Sequence, residues 1–403
     1  MTASVLIVTP LWTRDGGVAT HVEASAAALV RAGVDVHVLV TRNEREQPLP
    51  GVTVHCAPLF KRELTVEERI GDALQRDYSV IHTHHFDDPL VTAHLQRHAP
   101  LLSSVHSYAM CTSTLHYFRP GQECDRAHGP GCVPNLLVRG CAHTRDPRWL
   151  PQSYKRADFQ RESLRNADLA ISYSSTIDRH LAVNGVARRT IVPLFSTIPV
   201  TPGSGHEHRR RVVFAGRLVR PKGADVLIRA AREVDAELVI CGEGRRLPAL
   251  RRLAERLGVA QRVSFTGWLG PEQLAREIAE ASVVAIPSLW PEPFGLVGIE
   301  AFAAGRPVVA SATGGIEDWL EHGHSGLCVK PDDVGALSRA LAELLSDPER
   351  QRTMGAAGRA TVEQRFTEHH HVAALLDAYA TARDTWQRRS AANAATAKAV
   401  MGS

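Results

Sequence analysis

The sequence has 403 residues, 44% of them hydrophobic and 22% charged, which is the balance of a folded globular protein. This length exceeds one comfortable hydrophobic core, so two domains are expected. The net charge of +4 is too small for a dedicated nucleic-acid-binding surface. No segment approaches the roughly 20 apolar residues that cross a bilayer. We therefore expect a cytoplasmic protein that binds no nucleic acid, with its seven cysteines mostly reduced.

The first half of the chain alternates short apolar runs with helical patterns. It begins with SVLIVTPL, which lacks the early positive charges of a signal peptide and predicts a strand. A glycine-containing turn then leads into a predicted helix from Thr20 to about Ala32, which Gly33 ends. Further strands are predicted in VTVHCAP, YSVIHTHH, PLLSSVHS, ADLAISYS and RTIVPLF. This alternation is typical of a parallel sheet covered by helices.

A polar segment without periodicity, TPGSGHEHRR, separates the two halves and is the predicted linker. The alternation restarts after it, so the predicted fold class is α/β, with two doubly wound, Rossmann-like domains facing across a cleft. We expect these domains at residues 1–200 and 201–375. Residues 376–403 are expected to form a C-terminal helix or tail that packs back toward the first domain and is partly disordered at its end.

Two cations follow the first strand of the second half, in FAGRLVRPKG. Gly216 and Arg217 come directly after the strand, and Lys222 precedes a helix predicted from Ala224. Positive charge beside the free N–H groups of a helix N-terminus suits a diphosphate, although a solvated loop would show the same pattern. Gly242, in CGEGRR, ends the next strand in a turn that either admits a nucleotide or simply leads to a helix.

The segment PEPFGLVGIEAFAAG sets two glutamates eight positions apart. Glu292 lies on a loop at the end of a predicted strand, where ligands of such sheets bind, and Glu300 lies one turn into the next helix. The helix N-terminus near Phe294 and Gly295 attracts an anion. Because one carboxylate accepts hydrogen bonds from two neighbouring hydroxyls, the pattern suits polyols at both ends and phosphate between them. That is the outline of a nucleotide sugar.

Together with GGIEDWLEHGHSGLCV, these segments resemble the second domain of retaining family 4 glycosyltransferases, which have the GT-B fold and an E-x7-E signature. The resemblance covers most of residues 1–375. It implies that Arg217 and Lys222 hold the diphosphate of a UDP- or GDP-sugar co-substrate, with no further cofactor required. It also implies that Glu300 holds the ribose and Glu292 the transferred sugar. The backbone N–H groups that would line the sugar and phosphates are those of Phe294, Gly295, Leu296 and Val297.

The resemblance also assigns residues of the first half. Gly16 and Gly17 match a Gly-Gly loop whose backbone N–H groups meet the donor phosphates, although a simple turn would look alike. His106 matches a histidine near the anomeric carbon, with Ser107 where the family usually has aspartate. A second group of histidines at a strand end is expected to line the acceptor pocket: His82, His84 and His85.

The loop at residues 107–148 carries four of the seven cysteines: Cys111, Cys124, Cys132 and Cys141. A structural zinc, a disulfide or free thiols would each explain them, and their spacing lacks a C-x2-C pair. Because the loop follows His106, it is expected to shape the acceptor site. A basic helix predicted in QSYKRADFQRESLRN is expected to be solvated, with peripheral contact to an anionic membrane as the alternative.

The predicted activity is retaining glycosyl transfer from a UDP- or GDP-sugar to a small metabolite, natural-product scaffold, glycan or lipid. The catalytic candidates are His106, Arg217, Lys222 and Glu292, with Arg217 and Lys222 stabilising the departing diphosphate. A nucleotide-sugar epimerase and a non-catalytic nucleotide-sugar-binding protein are the alternatives. A Rossmann oxidoreductase would need a full glycine fingerprint, which the turn TPLWTRDGG lacks.

Overall fold

The computed structural model describes residues 3–12, 17–44, 47–61, 63–84, 88–112, 117–119, 122–138, 141, 148–198 and 210–401. Strands and helices alternate along both halves of the chain, as the apolar pattern predicts. Most of the predicted linker lies outside the described residues. Among the described helices, none is long and apolar enough to cross a membrane.

The first half forms a sheet of seven parallel strands. Its elements, in chain order, are β1 Ser4–Val8, β2 Leu11–Trp12, α1 Gly17–Arg31, β3 Asp35–Val40, β4 Arg42–Asn43, β5 Val52–Cys56, α2 Val66–Ile70, β6 Val80–His84, α3 Pro89–His98, β7 Leu101–Ser104, β8 Tyr117–Arg119, β9 Gln122–Glu123, α4 Cys132–Val138, α5 Trp149–Asn166, β10 Leu169–Ser172, α6 Ser175–Val183 and β11 Arg189–Ile191. The strand order is β11-β10-β7-β6-β1-β3-β5. The five inner strands are almost entirely buried, as expected where helices cover both faces of such a sheet.

The second half forms a sheet of six parallel strands in the order β14-β13-β12-β15-β16-β17. Its elements are β12 Arg211–Ala215, α7 Ala224–Ala230, β13 Glu237–Cys241, α8 Leu247–Arg256, β14 Val263–Gly267, α9 Pro271–Ala279, β15 Val283–Ile286, α10 Leu296–Ala303, β16 Val308–Ser311, β17 Gly326–Val329, α11 Val334–Leu345, α12 Pro348–Arg365 and α13 Glu368–Met401. The predicted α/β class with two doubly wound sheets is therefore confirmed.

The last helix, α13, begins in the second half of the sequence but packs on the first sheet, where it contacts α1, β6, β7 and β10. Its buried residues are His371, Leu375, Ala378, Tyr379 and Ala382. The predicted boundary at residues 375–376 falls inside this helix. The expected disorder at the end of the tail is wrong, because α13 continues to Met401.

The helix that carries Glu300 is packed so closely that one of its glycines has no room for a side chain. A Cβ on Gly298 in α10 would lie 1.9 Å from Cη2 of Trp319, whose Nε1 is held by Phe294 O at 2.7 Å. We expect Gly298→Ala to lower the free energy of unfolding by about 1–3 kcal/mol. Gly335→Ala in α11 is the matched control, because its Cβ meets only side-chain ends, the nearest being flexible Arg339.

The control substitution should raise stability by up to about 1 kcal/mol, since alanine favours a helix. Denaturant midpoints of the two variants give the comparison. Equal midpoints would show that Trp319 moves aside without cost.

Candidate active site

Lys222 and Glu292 meet at the carboxyl ends of two neighbouring strands, β12 and β15. The Lys222 Nζ lies 2.8 and 2.9 Å from the two carboxylate oxygens of Glu292, and Ser288 Oγ donates to one of them at 2.5 Å. Glu292 is 2% exposed. The two residues are 70 positions apart in the sequence, and the sheet brings them together. The resemblance assigns Lys222 to the diphosphate and Glu292 to the transferred sugar, which are adjacent parts of one ligand.

The approach of the two loops requires a glycine after Lys222. Gly223 has φ of 70°, and a Cβ there would lie 1.8 Å from the carbonyl oxygen of Pro287. Only glycine adopts this conformation readily and leaves room for the Pro287 carbonyl. The turn that carries Lys222 therefore lies directly on the end of β15, where the loop bearing Glu292 begins.

Arg217 is exposed at the end of β12, and among the residues that the structure describes it forms no ion pair. The strand ends beside it are closely packed: a Cβ on Gly242 would lie 2.0 Å from the carbonyl oxygen of Gly216. Gly216, Arg217 and Gly242 thus lie at one edge of the sheet, as the expected diphosphate site requires. Lys222 therefore differs from Arg217, because the Lys222 ammonium is already paired with the carboxylate of Glu292.

Glu300 lies inside the protein, 4% exposed, on the first turns of α10. Burial raises the pKa of its carboxyl to about 7. Thr197 Oγ1, from the segment that ends the first half, donates a hydrogen bond to it at 3.1 Å. One Glu300 oxygen therefore already accepts a hydrogen bond from a hydroxyl, and a ribose hydroxyl would make the same kind of bond with this carboxylate.

The start of α10 is set by Gly295, whose φ of 86° turns the chain into the helix. Phe294 is buried, and its carbonyl accepts from Trp319 Nε1. Leu296 and Val297 form the first turn, where backbone N–H groups lack intrahelical partners. The predicted anion-binding backbone therefore lies between the two glutamates, as the spacing indicates.

Of the predicted first-half residues, Gly17 is the first residue of α1, and a Cβ there would meet nothing within 4 Å. Gly16 lies outside the described residues. His106 follows β7, and its Nε2 lies 2.9 Å from Nδ1 of His84. Its ring stacks on Tyr173, with centroids 4.7 Å apart. The geometry places these residues at the strand ends of the first sheet and leaves their contact with a donor as a prediction.

Two family models match the sequence, one in each half of the chain. The "Glycosyl transferase 4-like domain" family matches residues 16–194, and the "Glycosyl transferases group 1" family matches residues 203–361. The two matched ranges include all of the second sheet, all strands of the first sheet except β1, and most of the strand-end residues described above. The chain belongs to glycosyltransferase family 4.

The names of similar proteins indicate different substrates. D-inositol 3-phosphate glycosyltransferase of Pseudarthrobacter chlorophenolicus is 29% identical over 85% of this chain and 85% of its own length. A GDP-mannose-dependent alpha-(1-6)-phosphatidylinositol monomannoside mannosyltransferase of Mycolicibacterium smegmatis is 42% identical over 37% of this chain and 42% of its own length. The second match is higher in identity but confined to part of each chain.

Solved structures agree on the fold. Sucrose-phosphate synthase from Thermosynechococcus elongatus superposes with a TM-score of 0.72 at 23% identity, covering 98% of this chain and 100% of that one. Anabaena HepE in complex with UDP-glucose gives 0.70 at 18% identity, covering 94% and 99%. The predicted GT-B architecture is confirmed.

The histidines expected to line the acceptor pocket of this glycosyltransferase lie elsewhere. His82 and His84 are 2% and 1% exposed, because their strand β6 is interior to the sheet. Their rings lie 4.1 Å apart behind His106, so they support that residue and do not line an open pocket. His85 lies outside the described residues.

The four loop cysteines form no disulfide and line one cavity of about 60 Å³, together with His128 and His180. In the described part of the chain, no three metal-ligating side chains come together as a metal ion requires. Of the three explanations that the sequence leaves open, the described residues provide neither a disulfide nor a three-ligand metal site. Burial raises the pKa of Cys124, with nearby Cys111 and Cys132 adding to the shift.

The cysteine loop instead contributes an acidic contact that no pattern in the sequence indicated. Glu123 Oε1 accepts from Gly314 N at 2.9 Å, on the other half of the molecule. A second contact between the halves joins α6 to the 3-10 turn Gly315–Asp318: Asp318 accepts from Ser175 N at 2.7 Å and from Ser175 Oγ at 2.5 Å. Each pair joins residues more than 140 positions apart, so only the folded structure brings them together.

Proposed function

We propose that this glycosyltransferase retains the anomeric configuration while it moves a sugar from a UDP- or GDP-sugar to a hydroxyl-bearing acceptor. The observation that carries the proposal is the set of charges at one sheet edge. Exposed Arg217 and the Lys222–Glu292 pair lie there, and buried Glu300 is bonded to a hydroxyl from the first half. Relatives named for GDP-mannose support the donor class.

In the proposed reaction the nucleotide diphosphate leaves as the glycosidic bond breaks. Arg217 and Lys222 stabilise the negative charge that develops on it, and a fixed charge in a closed cleft does so with little reorganisation. Lys222 is already bonded to Glu292, so donor binding inserts the diphosphate and sugar where these two side chains now meet. Glu292 then accepts sugar hydroxyls while Lys222 turns to phosphate.

The acceptor oxygen attacks the anomeric carbon from the face that the diphosphate is leaving. The bond to the acceptor oxygen forms, the bond to the phosphate oxygen breaks, and the acceptor proton passes to that phosphate oxygen. His106 orients the sugar ring near the reacting carbon. Closure of the two halves excludes water that would otherwise hydrolyse the donor.

We assign the acceptor to residues 1–200, the donor to residues 201–375, and a packing role against the first domain to residues 376–403. A small metabolite or natural-product scaffold is the proposed acceptor class, and the relative named for inositol 3-phosphate favours a cyclic polyol. A cytoplasmic location is also proposed, since no disulfide joins any of the cysteines that the structure describes.

A thermal-shift screen of nucleotide sugars tests the donor site. A true donor at 100 times its dissociation constant should stabilise the protein by about 2.7 kcal/mol. Arg217→Ala and Lys222→Ala should abolish the shift. Arg220→Ala is the matched control, because this exposed cation lies on the same turn and should keep the shift.

The anomeric configuration of the product, followed by NMR, tests retention. An inverted product would contradict the proposed stereochemistry while leaving the donor site intact. Donor epimerised without acceptor would indicate the epimerase alternative. Binding with neither product would indicate a nucleotide-sugar-binding protein.

A further inference from the structure

A buried chain of hydrogen bonds runs from helix α13 to the strand that precedes His106. Tyr379 OH lies 3.0 Å from Nδ1 of His82, whose Nε2 lies 2.7 Å from Ser104 Oγ. Ser104 Oγ lies 2.7 Å from Tyr173 OH. All four residues are at most 6% exposed. Because burial lowers the pKa of His82 to about 3, its ring is neutral and provides one donor and one acceptor.

Two rings contact His106: that of Tyr173, which belongs to this chain, and that of His84, which packs against His82. Tyr173 stacks on the His106 ring at 4.7 Å and an interplanar angle of 28°. His84 stacks at 5.2 Å and 27°, and its own ring lies 4.1 Å from that of His82. The orientation of His106 is thus fixed by two rings, and each of these depends on the chain that ends at Tyr379.

A second branch from the same helix reaches the edge of His106. His371 Nδ1 donates to Pro193 O at 2.7 Å, since a carbonyl can only accept. Its Nε2 therefore carries the lone pair and accepts from Ser25 Oγ at 2.9 Å. Ser25 Oγ in turn accepts from Nε2 of His21 at 3.3 Å. The His21 ring lies 5.7 Å from that of His106, edge to face.

The direction of this branch holds because its histidines stay neutral. Burial lowers the pKa of His371 to about 4, and burial also lowers the pKa of His21, with His371 and His82 nearby adding to the effect. A neutral imidazole with one nitrogen donating has only one tautomer left. Helix α13 therefore sets the tautomer as well as the position of His21 beside His106.

We propose that Tyr379 and His371 of α13 are positioning residues for His106, so that the last helix of the chain belongs to the machinery of sugar transfer. The effect on turnover rests on the proposed function, because His106 acts there on the donor sugar. The effect on the His106 ring does not rest on it. The two consequences can therefore be measured separately.

The test compares Tyr379→Phe with Trp386→Phe in the full-length protein. Both substitutions remove one hydrogen bond of α13, but Trp386 Nε1 donates to Gln96 O at 3.0 Å, outside the network. Three readouts are the histidine ring ¹⁵N shifts, the affinity for the nucleotide sugar found by the screen, and its turnover. We expect Tyr379→Phe to shift the His82 and His106 ring nitrogens and to lower kcat at least fivefold, with KM for the donor within twofold of wild type.

Trp386→Phe is expected to leave the histidine ring shifts and kcat at wild-type values, even if its thermal midpoint falls as far as that of Tyr379→Phe. Unchanged His106 shifts in Tyr379→Phe would overturn the proposal. The proposal would also be overturned if both variants lost kcat in proportion to the fall in their thermal midpoints, since lower stability alone would then explain the loss. If wild type binds no nucleotide sugar, the proposed function fails and the ring shifts decide the positioning role.

Discussion

Replacing Lys222 with alanine is expected to lower turnover by about 100-fold or more and to destabilise the free protein by about 3 kcal/mol. The first effect follows from removing a cation that stabilises the departing diphosphate. The second follows from the ion pair, because the buried Glu292 side chain, 3% exposed, would keep only Ser288 Oγ as a side-chain partner among the described residues. Urea denaturation and turnover of the donor measure the two effects on one sample.

Two further variants separate the effects. Arg217 is exposed and forms no ion pair within the described chain, so Arg217→Ala should lose turnover by a similar factor with stability within about 0.5 kcal/mol of wild type. Lys222→Met combined with Glu292→Gln removes both charges and should recover most of the stability, while transfer stays lost. Full stability in Lys222→Ala would show that the ion pair contributes little.

The parts of this site that could be predicted from sequence are those whose geometry is local. A strand, two prolines and a glycine place Glu292 at a strand end and Glu300 inside the following helix, and α10 begins at Leu296 as expected. Strand ends of a parallel sheet meet at one edge, so Arg217 and Lys222 were expected near them. Such features depend on neighbours within about ten residues and on one topological rule.

The contacts that sequence did not indicate join distant segments. Thr197 reaches Glu300 over 103 positions, and nothing in the sequence around Thr197 indicated that contact. His82 was predicted to be a pocket residue because it belongs to a group of histidines at a predicted strand end, yet α13 covers it and supplies Tyr379 as its partner. Whether a strand-end residue faces solvent depends on which distant element packs there, and hydrophobic periodicity carries no such information.

The tail shows the same limit in another form. RRSAANAATAKAVMGS has few large apolar residues, so burial alone predicted disorder. Alanine has the highest helix propensity, and α13 is already anchored upstream by buried Tyr379 and by Trp386 on Gln96. Propagating an existing helix costs far less than nucleating one, which explains why the helix continues to Met401.

Glu300→Gln is expected to abolish most nucleotide-sugar binding and, at pH 8, to make the free protein more stable. The pKa of Glu300 is raised to about 7 in the folded protein from an ordinary value of 4.5. A raised carboxyl pKa contributes stability that is fully present below pH 4.5 and is lost as pH rises through 7. Above pH 7 the buried charge therefore costs about 3 kcal/mol, which glutamine avoids.

Denaturant unfolding at pH 5 and pH 8 measures this difference. Wild type should lose stability relative to Glu300→Gln as pH rises between these values. Thr197→Val is a useful companion, because it removes the only described hydrogen bond to the carboxylate and should increase the difference. A difference that does not change with pH would show that Glu300 is ionised throughout.

The same carboxyl makes donor binding dependent on pH. Ribose hydroxyls donate to the ionised carboxylate, so binding favours the charged form and releases a proton below pH 7. Affinity should fall about tenfold from pH 8 to pH 6, by the usual linkage of one proton to one pH unit. The histidines behind His106 do not interfere, because burial holds the pKa of His82 and of His371 well below this range.

Calorimetric titration with an intact nucleotide sugar checks this dependence, in two buffers of different ionisation enthalpy so that the released proton is counted. An intact donor is needed because a free terminal phosphate itself titrates near pH 6. Glu300→Gln should bind weakly at both pH values and release no proton. If it instead binds as tightly as wild type with the same pH dependence, Glu300 does not hold the ribose, since another group then releases the proton.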